Sequence, residues 1–217
     1  MADEILPQQS VRVLVPSLGP SIESTRLLLR PVEARDTPAL LAVRGRPEVA
    51  KTNYPKTPFQ SIEETEEWIS GKIFAKGPDD VIGRSFNYSI LDKLIPESEE
   101  QVIGYVSINS LSPCPDIGYS LLPESWGKGY ATEALEMLLK MWWDLPRRPS
   151  DPTGSVDMEK VFAICEKKNP GSCGVLKKCG FEVVKEFRFD VDELYIWSLN
   201  RPDQTVDEIV KYRYRET

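Results

Sequence analysis

Three short runs rich in β-formers, Phe86–Leu91, Val102–Ile108 and Ile117–Leu122, follow one another across Pro/Glu/Ser turns, and the third leads through a glycine turn into an amphipathic stretch. A strand presents alternate residues to one face and a helix presents every third or fourth, so the period of the apolar residues tells the two apart. The runs predict an antiparallel meander of three strands. Beyond Gly129, Ala131, Ala134, Leu135, Leu138, Leu139 and Trp142 recur at helical spacing while Thr132, Glu133, Glu136 and Lys140 occupy the other side. That pattern predicts a helix with one buried face, on which Trp142 packs.

The flanking chain supplies further elements. Thr25–Glu33 reads as a strand and 37–44 as a helix, and Ser61-x-x-Glu64 before Trp68, Ile69 and Ile73 has the form of a capping box that opens a helix over 61–76. The proline-rich stretch Pro146–Thr153 cannot continue the preceding helix and is expected to be an exposed loop. Val161–Glu166 reads as a strand, Pro170–Cys179 as a helix stopped by Gly180, and Phe181–Val191 and Leu194–Leu199 as two more strands. The expected organisation is an N-terminal arm over 1–24 with one edge strand near Val11–Val15, a domain over 25–200, and a charged tail over 201–217. Strands, helices and then a strand–helix–strand unit make the fold class mixed α/β, or α+β.

Composition excludes several chemistries. The 217 residues include no histidine, which removes the Ser-His-Asp triad, the Cys-His dyad and the usual mixed His metal site, so no metal is expected. A net charge of −7 argues against a duplex nucleic-acid partner and favours cationic ones. The four cysteines form no Cys-x-x-Cys pair and are read as reduced. No basic segment precedes a long apolar run at the start, and no stretch reaches about 18 apolar residues, so the expectation is a cytoplasmic protein without a membrane partner. Asn87-Tyr88-Ser89 is then a chance sequon.

The segment that carries chemistry is Trp126-Gly127-Lys128-Gly129-Tyr130-Ala131-Thr132, between a strand and a helix. The first turn of a helix presents unpaired N–H groups and about half a positive charge, and glycines let a phosphate approach the main chain. Read without context, the same glycines are a turn and a cap. A Walker A loop is excluded because no Ser or Thr follows a Gly-Lys pair, and the Rossmann fingerprint lacks its third glycine.

Ile117 to Leu135, running Ile-Gly-Tyr-Ser-Leu-Leu-Pro-Glu-Ser-Trp-Gly-Lys-Gly-Tyr-Ala-Thr-Glu-Ala-Leu, resembles the acyl-CoA signature of the GNAT superfamily of N-acetyltransferases, especially its RimJ/RimL-type branch. Asn169-Pro170-Gly171-Ser172 with Val175-Leu176-Lys177-Lys178-Cys179-Gly180-Phe181 resembles that branch's second signature, and Thr25–Pro31 is similar to its first strand. The resemblance implies a GNAT-like fold, with a central, largely antiparallel sheet flanked by helices and splayed between strands 117–122 and 161–166. It implies acetyl-CoA as co-substrate, with the diphosphate on the main chain of Gly127, Gly129, Tyr130, Ala131 and Thr132. Lys128 would add charge, the main chain of Leu121 and Leu122 would pair with the pantetheine arm, and Asn169 would contact that arm. Trp126 departs from the Gln/Arg that the family pattern has at the head of this loop.

By the same resemblance the reaction is direct transfer of an acetyl group to a primary amine, a small molecule or a protein N-terminus, in a ternary complex. An alkyl amine is mostly protonated at neutral pH, so the reaction needs a proton acceptor, for which Asp116 is the first candidate and Glu166 the second. Ser172 would assist the departing thiolate. As turn and cap residues, Asp116, Asn169 and Ser172 each have an ordinary structural role as well. Cys173 lacks an activating histidine, which speaks against an acyl-enzyme. Tyr54, Phe59, Trp68 and Tyr88 are candidates for an acceptor wall or for core. The alternative functions are a non-catalytic acyl-CoA-binding protein and an interaction domain in which the glycines only cap a helix. A homodimer is left open.

Overall fold

The computed structural model describes residues 6, 11–75, 81–149 and 158–202. Its strands are β1 (Val11–Val13), β2 (Ile22–Glu23), β3 (Leu27–Pro31), β4 (Phe86–Asp92), β5 (Val102–Ser110), β6 (Asp116–Leu121), β7 (Arg147–Pro149), β8 (Lys160–Glu166), β9 (Glu182–Phe189) and β10 (Asp192–Asn200). The helices are α1 (Thr37–Arg44), α2 (Pro47–Ala50), α3 (Ile62–Ser70), α4 (Tyr130–Asp144) and α5 (Pro170–Lys178).

Eight strands form one sheet in the order β2-β3-β4-β5-β6-β8-β10-β9. The expected meander is β4-β5-β6, each pair antiparallel. β6 and β8 run parallel and share two register positions, Asp116 with Phe162 and Ile117 with Ala163. Past Ile117 the two strands part, and this is the splay that the sheet was expected to have.

Both faces of the sheet are covered, which makes three layers. On one face Phe86, Tyr88 and Ile90 of β4 meet Leu135, Leu138 and Trp142 of α4, all essentially without solvent contact. Burying each such leucine contributes about 2 kcal/mol. On the other face Ala39 and Leu40 of α1 join Val102 and Tyr105 of β5, with Trp68 and Ile69 of α3 packed on them. Ser61 caps α3 by accepting from the Glu64 N–H at 3.2 Å, as its sequence pattern indicated.

Several boundaries differ from the sequence reading for local reasons. α3 ends at Ser70, well before 76, because Gly71 closes it with an N–H bond to the Glu67 carbonyl. β9 ends at Phe189, since Asp190 takes a positive φ of 54° in a tight turn that leaves Val191 outside the ladder. Arg147–Pro149, expected as exposed loop, is a strand paired antiparallel with Val11–Val13. The Arg147 guanidinium is 6% exposed, pairs with Glu159, and donates to the carbonyls of Trp142 at 2.7 Å and Trp143 at 3.0 Å. It satisfies the open C-terminal carbonyls of α4 and draws the chain back onto the domain. Before Thr25, Val13 and Val15 are buried in the main core and β2 pairs with β3. The charged tail lies outside the described residues from 203 onward.

Candidate active site

The parting of β6 and β8 opens a cavity of about 760 Å3, lined among others by Ile117, Tyr119, Leu121, Ala163, Cys165 and Asn169. In the β5–β6 ladder the Leu122 N–H donates to the Ile103 carbonyl at 2.8 Å, so alternate residues of β6 spend their main-chain groups on β5. Tyr119 and Leu121 therefore aim theirs the other way, into the gap. Leu122, expected beside Leu121 on the ligand, has its N–H committed to β5 and stands off the cavity wall.

At the wide end the cavity meets the glycine turn. Gly127, Gly129, Tyr130, Ala131 and Thr132 all line it, with Trp126. Gly127 and Gly129 have φ of 73° and 82°, a region that side chains rarely adopt, and a Cβ on Gly127 would meet no atom within 4 Å. The turn is thus a shallow cradle in front of the first N–H groups of α4. Lys128 is exposed and off the wall, its carbonyl accepting from Arg26 at 3.0 Å. Arg26 also pairs with Glu133 and lies 4.7 Å from the Tyr130 ring centre, which fixes the turn against α4. Lys51, Lys168 and Lys178 line the cavity with Glu48, and Lys168 is paired with Glu166 and Asp192, so the wall of a chain that is acidic overall has a small excess of positive charge.

Trp126 brings its indole N–H to the Leu121 carbonyl at 2.9 Å. The one donor of this side chain is used within the fold.

Deeper in, Ser172 and Tyr119 share a hydrogen bond of 2.8 Å between their hydroxyls. Burial pushes the Tyr119 phenol well above its ordinary range, so it stays protonated and remains available as a donor. Asn169 caps α5 by accepting from the Ser172 N–H at 3.0 Å and also faces the cavity, so it holds a structural role at a position open to a ligand. Asn53 accepts from the hydroxyls of Ser120 at 3.1 Å and Tyr105 at 3.3 Å, which anchors the α2–α3 connection to the centre of the sheet.

Asp116 is not on the cavity wall. It opens β6 half-buried and accepts from Asn109 Nδ2 at 3.1 Å, and burial raises its pKa despite that bond and the nearby Lys72. Asn109 in turn lies against Gly118, a wall residue, where an added Cβ would come within 2.7 Å of its amide nitrogen. Glu166, the second candidate for proton acceptor, is buried and held by Lys56 at 2.5 Å and Lys168 at 3.1 Å. Tyr54, Phe59, Trp68 and Tyr88 are all absent from the wall. Phe59 and Trp68 are in edge-to-face contact between α1 and α3, Tyr88 is in the main core, and the Tyr54 hydroxyl donates to Asp192 at 2.8 Å.

Sequence reasoning missed Tyr119, Asn53, Cys165 and Arg26. Tyr119 and Arg26 stand inside motifs that were recognised, whereas Asn53 and Cys165 carry no local signal, because their place on the wall depends on contacts across the sheet. Among the described residues, no group of three or more Cys, Asp or Glu is placed to hold a metal ion. Nor is any helix there long and apolar enough to cross a membrane.

Residues 26–182 match the family described as Acetyltransferase (GNAT) domain. The chain belongs to the GNAT acetyltransferases. A curated relative, the uncharacterized N-acetyltransferase p20 of Bacillus licheniformis, is 26% identical, across 75% of this chain and 82% of its own length. Among solved GNAT structures, RimL, a ribosomal-protein alpha-N-acetyltransferase in complex with coenzyme A, aligns at 20% identity with a TM-score of 0.61, covering 83% of this chain and 98% of its own. The spermidine N-acetyltransferase of Vibrio cholerae, in complex with coenzyme A and spermine, aligns at 17% with a TM-score of 0.59, covering 82% and 97%. At these identities the likeness is one of fold, and it spans the GNAT chains from end to end.

Proposed function

We propose that the gap between β6 and β8 holds acetyl-CoA and that the chain transfers its acetyl group to a primary amine, within the RimJ/RimL-type branch of the GNAT acetyltransferases. The observation that carries this reading is the continuity of the cavity. It runs from a glycine cradle at the start of α4, along the free edge of β6 at Tyr119 and Leu121, to the paired hydroxyls of Tyr119 and Ser172. The cradle suits a diphosphate, the free strand edge an extended amide-bearing arm, and the hydroxyl pair a departing sulfur.

The residues divide the work as follows. The main chain of Gly127, Gly129, Tyr130, Ala131 and Thr132 binds phosphate oxygens, and Lys51 and Lys178 add positive charge around them. Holding the thioester beside the amine removes most of the entropic cost of a bimolecular encounter. Ser172, itself hydrogen-bonded by Tyr119, donates to the thiolate as the C–S bond breaks. We assign the proton from the amine to Asp116, whose raised pKa brings proton uptake closer to neutral pH and whose partner Asn109 lies against the wall at Gly118. The acceptor is a small-molecule amine or a protein N-terminus. A second reading, an acyl-CoA binder without turnover, is favoured by the set-back position of Asp116.

Mass spectrometry of acetyl-CoA incubated with a panel of polyamines, amino-acid amides and N-terminal peptides tests the proposal. Amine-dependent release of CoA with one acetylated product supports transfer. Binding of acetyl-CoA with no product from any amine supports the second reading.

A further inference from the structure

Two thiols that the proposed reaction does not use stand side by side at the site. Cys165 on β8 and Cys173 in the first turn of α5 have their sulfurs 3.7 Å apart, and both are free. They are approached from opposite sides. Cys165 is buried on the wall of the main cavity, whereas Cys173 is half-buried on a second hollow of about 530 Å3, bounded by Lys167, Lys177, Glu186 and Trp197. The residue before Cys173 is Ser172, whose hydroxyl meets Tyr119 at 2.8 Å.

We propose that Cys165 and Cys173 form a reversible disulfide that disables the wall carrying Ser172. Drawing the sulfurs from 3.7 Å to the roughly 2.05 Å of a disulfide pulls the first turn of α5 toward β8. The Ser172–Tyr119 pair and the Asn169 cap lie within that turn, so the arm-binding side of the cavity changes shape with it. The inactivating half of this inference rests on the acetyl-CoA reading above, while the bond itself does not.

With hydrogen peroxide as oxidant the chemistry balances. An oxygen passes to Cys173 Sγ as the O–O bond breaks, and the other oxygen leaves as water with the thiol proton. Cys165 Sγ then attacks the sulfenic sulfur. The S–S bond forms, the S–O bond breaks, and the hydroxyl leaves with the Cys165 proton as a second water. Each sulfur gives up one electron and peroxide takes two. Burial first, and Cys173 next, push the Cys165 thiol up to about 12, so its thiolate is scarce and the second step relies on the 3.7 Å approach of the two sulfurs.

The full chain is treated with peroxide and its mass read without reductant, followed by peptide mapping and the thermal shift given by CoA. The expected result is a loss of about 2 mass units, for two thiol hydrogens, and a 165–173 link. The CoA shift is then abolished, and a dithiol restores both. Cys173→Ser, a mild change at a half-buried position off the main cavity wall, keeps the CoA shift under peroxide. Oxygen added to sulfur without a link, a CoA adduct in its place, or a link that leaves the CoA shift intact overturns the proposal. A reduced chain that shows no CoA shift defeats the acetyl-CoA reading and the inactivating half with it, and the mass still decides whether the link forms.

Discussion

The indole N–H of Trp126 donates to the carbonyl of Leu121 across 2.9 Å, on the strand edge that β8 leaves unpaired. In the proposed complex an amide of the inserted arm would use that same carbonyl, so the side chain and the ligand compete for one acceptor. Trp126→Phe frees the carbonyl while keeping an aromatic ring at the mouth. One hydrogen bond is worth about 1 kcal/mol net, so CoA is expected to bind roughly fivefold more tightly to the variant. Calorimetric titration of both proteins checks this. A tenfold weakening would make the indole itself a ligand contact.

Ser172 is expected to act on the bond-breaking step and little on binding. Ser172→Ala removes the donor and leaves Tyr119 only the main-chain carbonyl of residue 172 at 3.4 Å, while the Asn169 cap to the main chain survives. The loss of about 1.5 kcal/mol from a hydrogen bond to a developing anion corresponds to a roughly tenfold fall in kcat with KM for acetyl-CoA unchanged. Steady-state kinetics with the best acceptor separate the two constants.

Much of this arrangement was readable from the sequence, and the exceptions share a cause. The meander, α4 and its buried face followed from apolar period, and the glycine turn from two glycines ahead of a helix. Arg147–Pro149 was not readable, because three residues in a proline-rich stretch become a strand only through Val11–Val13, distant in the chain. Asp116 was placed correctly at the head of β6, yet whether its carboxylate faces the cavity is decided by Asn109 and Lys72, on other elements. Local pattern sets elements and loops. Side-chain direction at a site depends on tertiary contacts, which a pattern does not contain.

Gly127 isolates the conformational part of the turn. Its φ is 73° and a Cβ there meets nothing within 4 Å, so Gly127→Ala adds strain without a clash. The cost is expected at about 1–2 kcal/mol, read by denaturant unfolding. Gly127→Asn is expected to cost less, since asparagine tolerates the left-handed region.

Lys72 gives a test by pH. Burial pulls its ammonium down to about 8, against the attraction of Asp116, while the unfolded chain titrates near 10.4. Between those values the unfolded state binds more protons, so this group makes stability rise with pH from about 8 to about 10.4. Cys114, Cys165 and Cys179, whose thiols burial pushes up to about 12, act in the opposite direction above about pH 9. The contribution of Lys72 is therefore the difference between the native chain and Lys72→Met. Urea unfolding of both across pH 7–11 is expected to show a more positive pH slope in the native chain between 8 and 10.4. Equal slopes would place Lys72 in water.

If the gap between β6 and β8 is an acyl-CoA site, acetyl-CoA raises the melting temperature of the chain. The comparison protein is Ala131→Glu, a substitution that suits the first turn of a helix yet sets a carboxylate in front of the cradle. The expected result is a rise of several degrees for the native chain, through preferential binding to the folded state, and none for the variant. No rise for the native chain with acetyl-CoA, CoA or other acyl-CoAs, or an equal rise for both proteins, would contradict the account.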